Sequence, residues 1–396
     1  MDQMFSKRHL LLSYAMGGFG LAVNSMMLFL VPLRAAELGI GIGTIGLLLG
    51  TKSVMDAYAS VPVGSFIDRH GARTAFVIGC GMTAVIGALY SFAGSVLMMF
   101  VLQALLGLFR PAGWVGAQTY VSGLRTGAER AHDTGRLSFV ATSSQIVAPA
   151  LVGATAQLWS VRAGFVTFAV YAALFASLGL LLPREDRRRP SASRGAGFRE
   201  SATLLRIRGI RTVMLLTFAR LWVPSVWTGF FPLLLVEGGM AKGVAGTVIS
   251  TMALVGTGVS LLAGRIAKLG RLEYVTAAGL AFSAVGLAMS PLMASFPYAY
   301  FPAAMLGIGQ GLSLPLLIAL VGKAAPAERR GLALGLRAAV NQSAAALAPV
   351  VTGSLIVATG AAIGFPLAAL MAAAALGAAV FSTRRDPEEP TRSEGG

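Results

Sequence analysis

Long apolar runs broken by short polar or glycine-rich turns fill the chain from residue 10 to residue 381. A helix needs about 20 mostly apolar residues to cross a bilayer. Twelve runs have that length: roughly 10–32, 43–64, 74–92, 95–120, 137–159, 163–182, 211–236, 244–264, 273–292, 297–321, 333–358 and 361–381. Turn residues or charges interrupt them, as at Pro183, Gly238-Gly239, Pro291 and Gly360. The first run follows Lys7-Arg8-His9, an arrangement shared with secretory leaders. Its apolar stretch of about 23 residues exceeds the 7–15 of a leader's core, so it is expected to be a span. The pattern predicts an all-α polytopic membrane protein.

Composition supports the pattern. Of 396 residues, 56% are hydrophobic and 12% charged, about half the usual charged share of roughly 25%. So few charges cannot cover a soluble surface of this size, which excludes a soluble enzyme and a disordered chain. Cys80 is the only cysteine, which excludes a disulfide scaffold. The net charge of +16 is unevenly spread. Twelve spans place both termini on one side. The loops of the other side hold only Arg34, Arg162 and Lys242, and three further cations fall inside spans. By the positive-inside bias the terminal side is expected to be cytoplasmic, in a cell (inner) membrane. The longest polar insert, Pro183 to Arg211, contains Arg187-Arg188-Arg189. A basic tract can bind nucleic acid or anionic lipid, but the topology bias already accounts for these charges. The expected organisation is a six-helix bundle over 1–182, a basic linker over 183–210, a second bundle over 211–381 and a tail over 382–396.

The halves repeat. Ala128-Glu129-Arg130 precedes the fifth span and Ala327-Glu328-Arg329 the eleventh. Gly135 and the segment Ala148-Pro149-Ala150-Leu151-Val152-Gly153 recur 200 residues later as Gly335 and Ala348-Pro349-Val350-Val351-Thr352-Gly353. Two matches in one register imply two pseudo-symmetric six-helix bundles. Such pairs hold a solute near the bilayer midplane, between the halves, and rock around it.

Between the second and third runs the chain reads Gly64-Ser65-Phe66-Ile67-Asp68-Arg69-His70-Gly71-Ala72-Arg73. This resembles the loop signature of the major facilitator superfamily at Gly64, Asp68, Arg69, Gly71 and Arg73, with Ala72 in place of a usual base. Together with twelve spans, duplicated halves and a long middle loop, the resemblance covers essentially the whole chain. It implies a secondary transporter in which Asp68 and Arg69 latch the cytoplasmic side of the outward-open state. Physically, Gly64 lets helices approach closely, and Asp68 suits the positive N-terminal end of a neighbouring helix. Arg69 and Arg73 are placed to reach Glu129 or Asp133. The second-half counterpart, Gly264 to Arg271, lacks the acid. The chain also resembles the twelve-helix drug–proton antiporters of that superfamily, but only in part. Pro149 and Gly153 match their fifth-span element, whereas Ala148 and Val152 replace glycines and Arg110 is followed by Pro111-Ala112-Gly113. The resemblance implies proton-coupled efflux of an amphipathic organic solute. A uniporter or proton-coupled importer of an organic anion is the alternative, since cations outnumber acids in the spans.

A charge at mid-span costs about 2.5–3.5 kcal/mol on insertion scales, so each such residue must face protein or water. Lys52, Asp56, Arg110 and Arg220 qualify, and Asp56 is the one acid well inside a span. A carboxyl that alternates between an apolar and a cation-flanked environment gains and loses a proton. Asp56 is therefore the expected proton carrier, tuned by Arg110 and Lys52; a static pair with Lys52 is the plainer alternative. Arg110 shares a helical face with Gln103, Trp114 and Gln118, and Arg220 shares one with Pro224, Trp227 and Phe231. With Asn24, Gln145, Asn341 and Gln342, the residues Gln103, Trp114, Arg220 and Trp227 are the expected solute contacts. The same polar groups also serve as glue between helices.

Three scattered histidines, His9, His70 and His132, and one cysteine make no metal cluster. A phosphate-binding glycine loop and a catalytic set are missing from the sequence. The expectation is a transporter rather than an enzyme, with no cofactor and no nucleic-acid partner. It would work as a monomer with a small organic solute, protons and membrane lipids.

Overall fold

The computed structural model describes residues 7–125, 127–183, 203–325 and 329–384. Most of the expected linker, 184–202, and of the tail, 385–396, lies outside them. Twelve long helices follow in order: α1 (Lys7–Glu37, with a local break at Met16), α2 (Ile42–His70), α3 (Ala72–Tyr90), α4 (Val96–Leu124), α5 (Gly127–Leu158), α6 (Val161–Leu180), α7 (Arg208–Glu237), α8 (Lys242–Ile266), α9 (Leu272–Met289), α10 (Tyr300–Ala324), α11 (Arg330–Thr359) and α12 (Ala361–Arg384). Among the described residues there is no strand. Eleven helices are long and apolar enough to cross a membrane. The exception, α2, has 29 residues and bears Lys52 and Asp56 at its middle. The protein is a multi-pass membrane protein.

Several helices outrun the apolar pattern. The second run ends near residue 64, whereas α2 continues to His70. Gly64, Asp68 and Arg69 therefore sit on helix, not in a loop as expected. Nothing in Ser65–His70 interrupts the hydrogen-bond ladder, and the turn comes at Gly71, whose φ of 87° favours glycine. The fifth run was expected from 137, yet α5 already begins at Gly127. Hydropathy marks the lipid-facing length of a helix, not its hydrogen-bonded length.

Packing repeats between the halves. In the first, α2 lies on α4, α3 on α4 and α6, and α1 on α5; in the second, α8 lies on α10, α9 on α10 and α12, and α7 on α11. Across the halves α2 meets α11, α5 meets α8, and α1 meets α7. The duplicated segments form this seam. A Cβ at Gly246 would lie 2.5 Å from the Pro149 carbonyl oxygen, and one at Gly46 would collide with that of Pro349. Gly153 and Gly353 are equally pressed, at 2.8 Å from the Lys242 carbonyl oxygen and 3.1 Å from that of Ile42. Small residues let backbones touch where lipid-like surroundings supply no hydrophobic drive between helices. The turns before α2 and α8 also match, with Gly39 and Gly239 at φ of 70° and 88°.

All of these approaches lie near the starts of α2 and α8 and the ends of α5 and α11, on the side opposite Lys7 and Thr383. On that far side Lys242 Nζ of the second half bonds Glu37 Oε1 of the first at 3.1 Å. The Lys242 backbone N–H donates to Gln157 Oε1 at 2.8 Å. Among the described residues this is the one ion pair between the halves. On the terminal side a recess of about 720 Å³ is walled by α1 and α5, including Tyr14, His132, Arg136 and Phe139. The halves are thus bridged by charge on the far side, and among the described residues no ion pair joins them on the terminal side.

Cysteines at Gly43 and Val357, where a Cβ on Gly43 would lie 3.3 Å from the valine side chain, should cross-link efficiently on mild oxidation. Gly46→Leu should lower that yield severalfold, because its side chain has only the Pro349 carbonyl to occupy. An unchanged yield on denaturing gels would show that the seam tolerates the added bulk.

Candidate functional site

Gly107 sets the geometry of the charged site. A Cβ there would lie 2.5 Å from the Lys52 carbonyl oxygen and 3.1 Å from the Asp56 nitrogen, so α4 presses onto α2 at these residues. The contact carries Arg110, one turn further, to Asp56. Arg110 Nη2 lies 2.6 Å from Asp56 Oδ2, and Lys52 Nζ lies 3.0 Å from the same oxygen. Lys52 Nζ also donates to Asn24 Oδ1 at 2.8 Å. Lys52 and Asp56 are 5% and 3% exposed, and Asp56 Oδ1 has no hydrogen-bond partner among the described residues. Sequence left Lys52 and Arg110 as alternative partners; both engage one oxygen. The cluster carries one net positive charge and leaves one carboxylate oxygen available to a proton or a donor. Asn24, expected as a solute contact, belongs to it as well.

The second half repeats the crossing without the charges. Gly307 meets the Met252 carbonyl oxygen at 2.6 Å and the Gly256 nitrogen at 3.1 Å. Met252, Gly256 and Gln310 thus stand 200 positions after Lys52, Asp56 and Arg110. Gln310 instead donates to the Arg220 backbone carbonyl at 2.9 Å.

The other expected residues scatter. Gln103 is fully buried, with neither amide atom hydrogen-bonded among the described residues. Trp114 packs against Gly20 of α1. Gln145, Arg220, Asn341 and Gln342 are half-buried. Trp227 is fully enclosed, its indole N–H donating to Ser290 Oγ at 3.0 Å and its ring stacked on Phe231 at 5.0 Å. The expected Arg220–Trp227–Phe231 face is therefore split: both rings fill the bundle core, because a helix this enclosed buries most of its circumference, and Arg220 alone stays half-exposed. One charge went unnoticed. Arg337 lies within the apolar run 333–358, a fourth in-span cation beyond the three expected; it is half-buried on α11.

The signature segment makes other contacts than expected. Asp68 and Arg69 are exposed, with no ion pair among the described residues. Arg73 does not reach Glu129 or Asp133. It donates to the carbonyls of Gly179 and Leu180 at 3.0 and 2.8 Å, acceptors that a helix end leaves unpaired. Asp133 is fully buried and accepts from Tyr14 Oη at 2.5 Å, with Arg125 Nε 3.7 Å away. Glu129 lies 3.8 Å from Arg125.

Twelve paired helices with a charged cluster at mid-span are the framework of a solute carrier, and comparison with known proteins places it. The family model of the Major Facilitator Superfamily matches residues 10–301 and 213–396, so the chain belongs to that superfamily and is a transporter, not an enzyme. It is 24% identical over 225 residues to the Bacillus subtilis (strain 168) protein named "Multidrug resistance protein 1". That match covers 57% of this chain and about half, 52%, of the relative. Among solved structures it resembles the nucleoside transporter NupG, with a TM-score of 0.82 and 13% identity over 94% of this chain and 99% of the other. It likewise resembles a bacterial homologue of the human lysosomal transporter Spinster, at 0.78 and 14% over 96% and 98%. A D-xylose–proton symporter follows at 0.75 and 15% over 96% and 97%. At these identities the likenesses establish the fold.

Asp56→Asn strands two buried cations and should destabilise the purified protein by about 3–5 kcal/mol, the usual cost of breaking a buried pair. Arg110→Met, which leaves Lys52 to balance Asp56, should cost less. Thermal melting in detergent checks the order; equal melting of both variants would mean that the two cations do not depend on Asp56.

Proposed function

We propose that this transporter couples proton movement to export of a small amphipathic organic solute by alternating access, with Asp56 as the proton-binding group. The observation that carries this is the buried Asp56, gripped on one oxygen by Lys52 and Arg110 beside the half-exposed Asn24. Protonation of Asp56 removes the charge that holds both cations. Arg110 on α4 and Lys52 on α2 then repel without compensation, which loosens the crossing at Gly107. A proton bound at this cluster thereby biases how α2 packs, and α2 is also a seam helix against α11. One side chain thus links protonation to the contact between halves. The relative named for multidrug resistance favours the export reading. The bias of Lys and Arg supports placing the terminal side in the cytoplasm of a cell (inner) membrane. In that orientation the far-side seam closes the external face, and Asp68 and Arg69 await partners on the cytoplasmic face.

Proteoliposomes with an imposed pH gradient test the coupling. Wild type should accumulate a fluorescent amphipathic solute when the gradient is present, whereas Asp56→Asn should show only downhill exchange. Equal gradient-driven flux in the two proteins would remove Asp56 from the mechanism.

A further inference from the structure

Arg220 and Arg337 form a second charged group, in the other half from Asp56. Arg220 is the thirteenth residue of α7 and Arg337 the eighth of α11. The helices pack on each other, and Arg337 lies within electrostatic range of Arg220. Neither has a carboxylate within 4 Å among the described residues. Arg220 Nε, Arg337 Nε and Arg337 Nη1 are buried N–H groups without a hydrogen-bond partner among the described residues. Asn341, one turn beyond Arg337, has a buried acceptor, Oδ1, also without a partner among the described residues. Asp56 makes no ion pair with either; its partners are Lys52 and Arg110.

Two like charges held together without a counter-ion repel, and each leaves unpaired donors that cost free energy when buried. A bundle retains such a pair when something else completes it. The missing partner must be anionic and accept several hydrogen bonds; a guanidinium fork matches the two oxygens of a carboxylate. It must also be small enough to enter between the halves. The helix α7, which carries Arg220, packs on α11 and also touches α1 of the opposite half. At 1.5 Å per residue, Arg220 stands about 18 Å along α7 from Arg208, deeper than a lipid headgroup.

We propose that Arg220 and Arg337 bind the carboxylate of the transported solute, so that the cargo is an amphipathic organic acid. This rests on the transport assignment above and names its substrate class. Arg337 grips the anionic end with Arg220, and the apolar body of the solute lies against the opposite half. The two charged groups then divide the work: the first half titrates, and the second holds the anion.

The test is binding to the purified full chain in detergent without a pH gradient, which separates it from coupling. Phenylbutyrate and phenylbutylamine share an apolar body and differ in charge. Phenylbutyrate should raise the melting temperature in a saturable way and phenylbutylamine should not. Arg337→Gln and Arg220→Gln should each weaken phenylbutyrate binding about tenfold or more, the worth of a charge-assisted hydrogen bond. Arg337→Lys should recover part of it, and Asp56→Asn should retain it. Without ligand, Arg337→Gln should melt no lower than wild type, because it removes an uncompensated charge; a clear drop would mark Arg337 as a structural residue and overturn the proposal. Equal or tighter binding of the amine, or unchanged phenylbutyrate binding in both glutamine variants, would also overturn it. So would an Arg337-dependent shift produced by phosphatidylglycerol and not by phenylbutyrate, since the site would then belong to lipid. Loss of proton-driven flux dependence on Asp56 with intact phenylbutyrate binding would refute the coupling and leave the anion site standing.

Discussion

A charge inside an apolar helix bundle has to be answered by another charge or by a guest. That constraint organises this protein. The first half answers it internally: one carboxylate at Asp56 is shared by Lys52 and Arg110, and the crossing at Gly107 brings the three together. The second half leaves it open at Arg220 and Arg337. The same fold, used twice, therefore holds a closed ion cluster on one side and an incomplete one on the other. The difference lies in a few positions of otherwise matched helices: Lys52, Asp56 and Arg110 correspond to Met252, Gly256 and Gln310, whereas Arg220 and Arg337 stand where the first half has Gly20 and Leu137.

The seam between the halves obeys a different rule. It contains little charge and depends on small residues that let backbones touch, at Gly46 and Gly246 against the carbonyls of Pro349 and Pro149. Such contacts are short-ranged and lost on small rotations. A helix pair of this kind suits a joint that must both close and release. The Glu37–Lys242 bridge adds only a partly exposed ion pair to it, of the order of 1 kcal/mol or less. Closure on the far side is thus mostly a matter of shape.

Much of this was legible in the sequence because lipid is a demanding solvent. Twelve apolar runs, the turns at Gly238-Gly239 and Gly360, and the repeated segments around Pro149 and Pro349 all appear as helices, turns and seam in the structure. The buried Lys52, Asp56 and Arg110 were marked by their cost at mid-span. Other features were hidden. Trp227 looked like part of a solute-facing stripe, yet its indole is tied to Ser290 in the core. Arg73 looked like a partner for distant acids, yet it caps α6. Arg337 fell between categories, seven residues past the helix start, where a charge reads equally as interfacial or buried.

Taken alone, the chain fixed the number of helices, their pairing into two related bundles and the identity of the charges that membrane burial forces into company. These follow from hydropathy, from the internal repeat and from the cost of desolvating a charge, all of which are local or periodic properties. Tertiary structure decided which cation meets which anion, on which side the halves close, and that two arginines on packed helices have no carboxylate partner among the described residues. Those outcomes depend on helix rotation and crossing, set by glycine contacts far apart in sequence, and no one-dimensional pattern records the angle at which two helices meet.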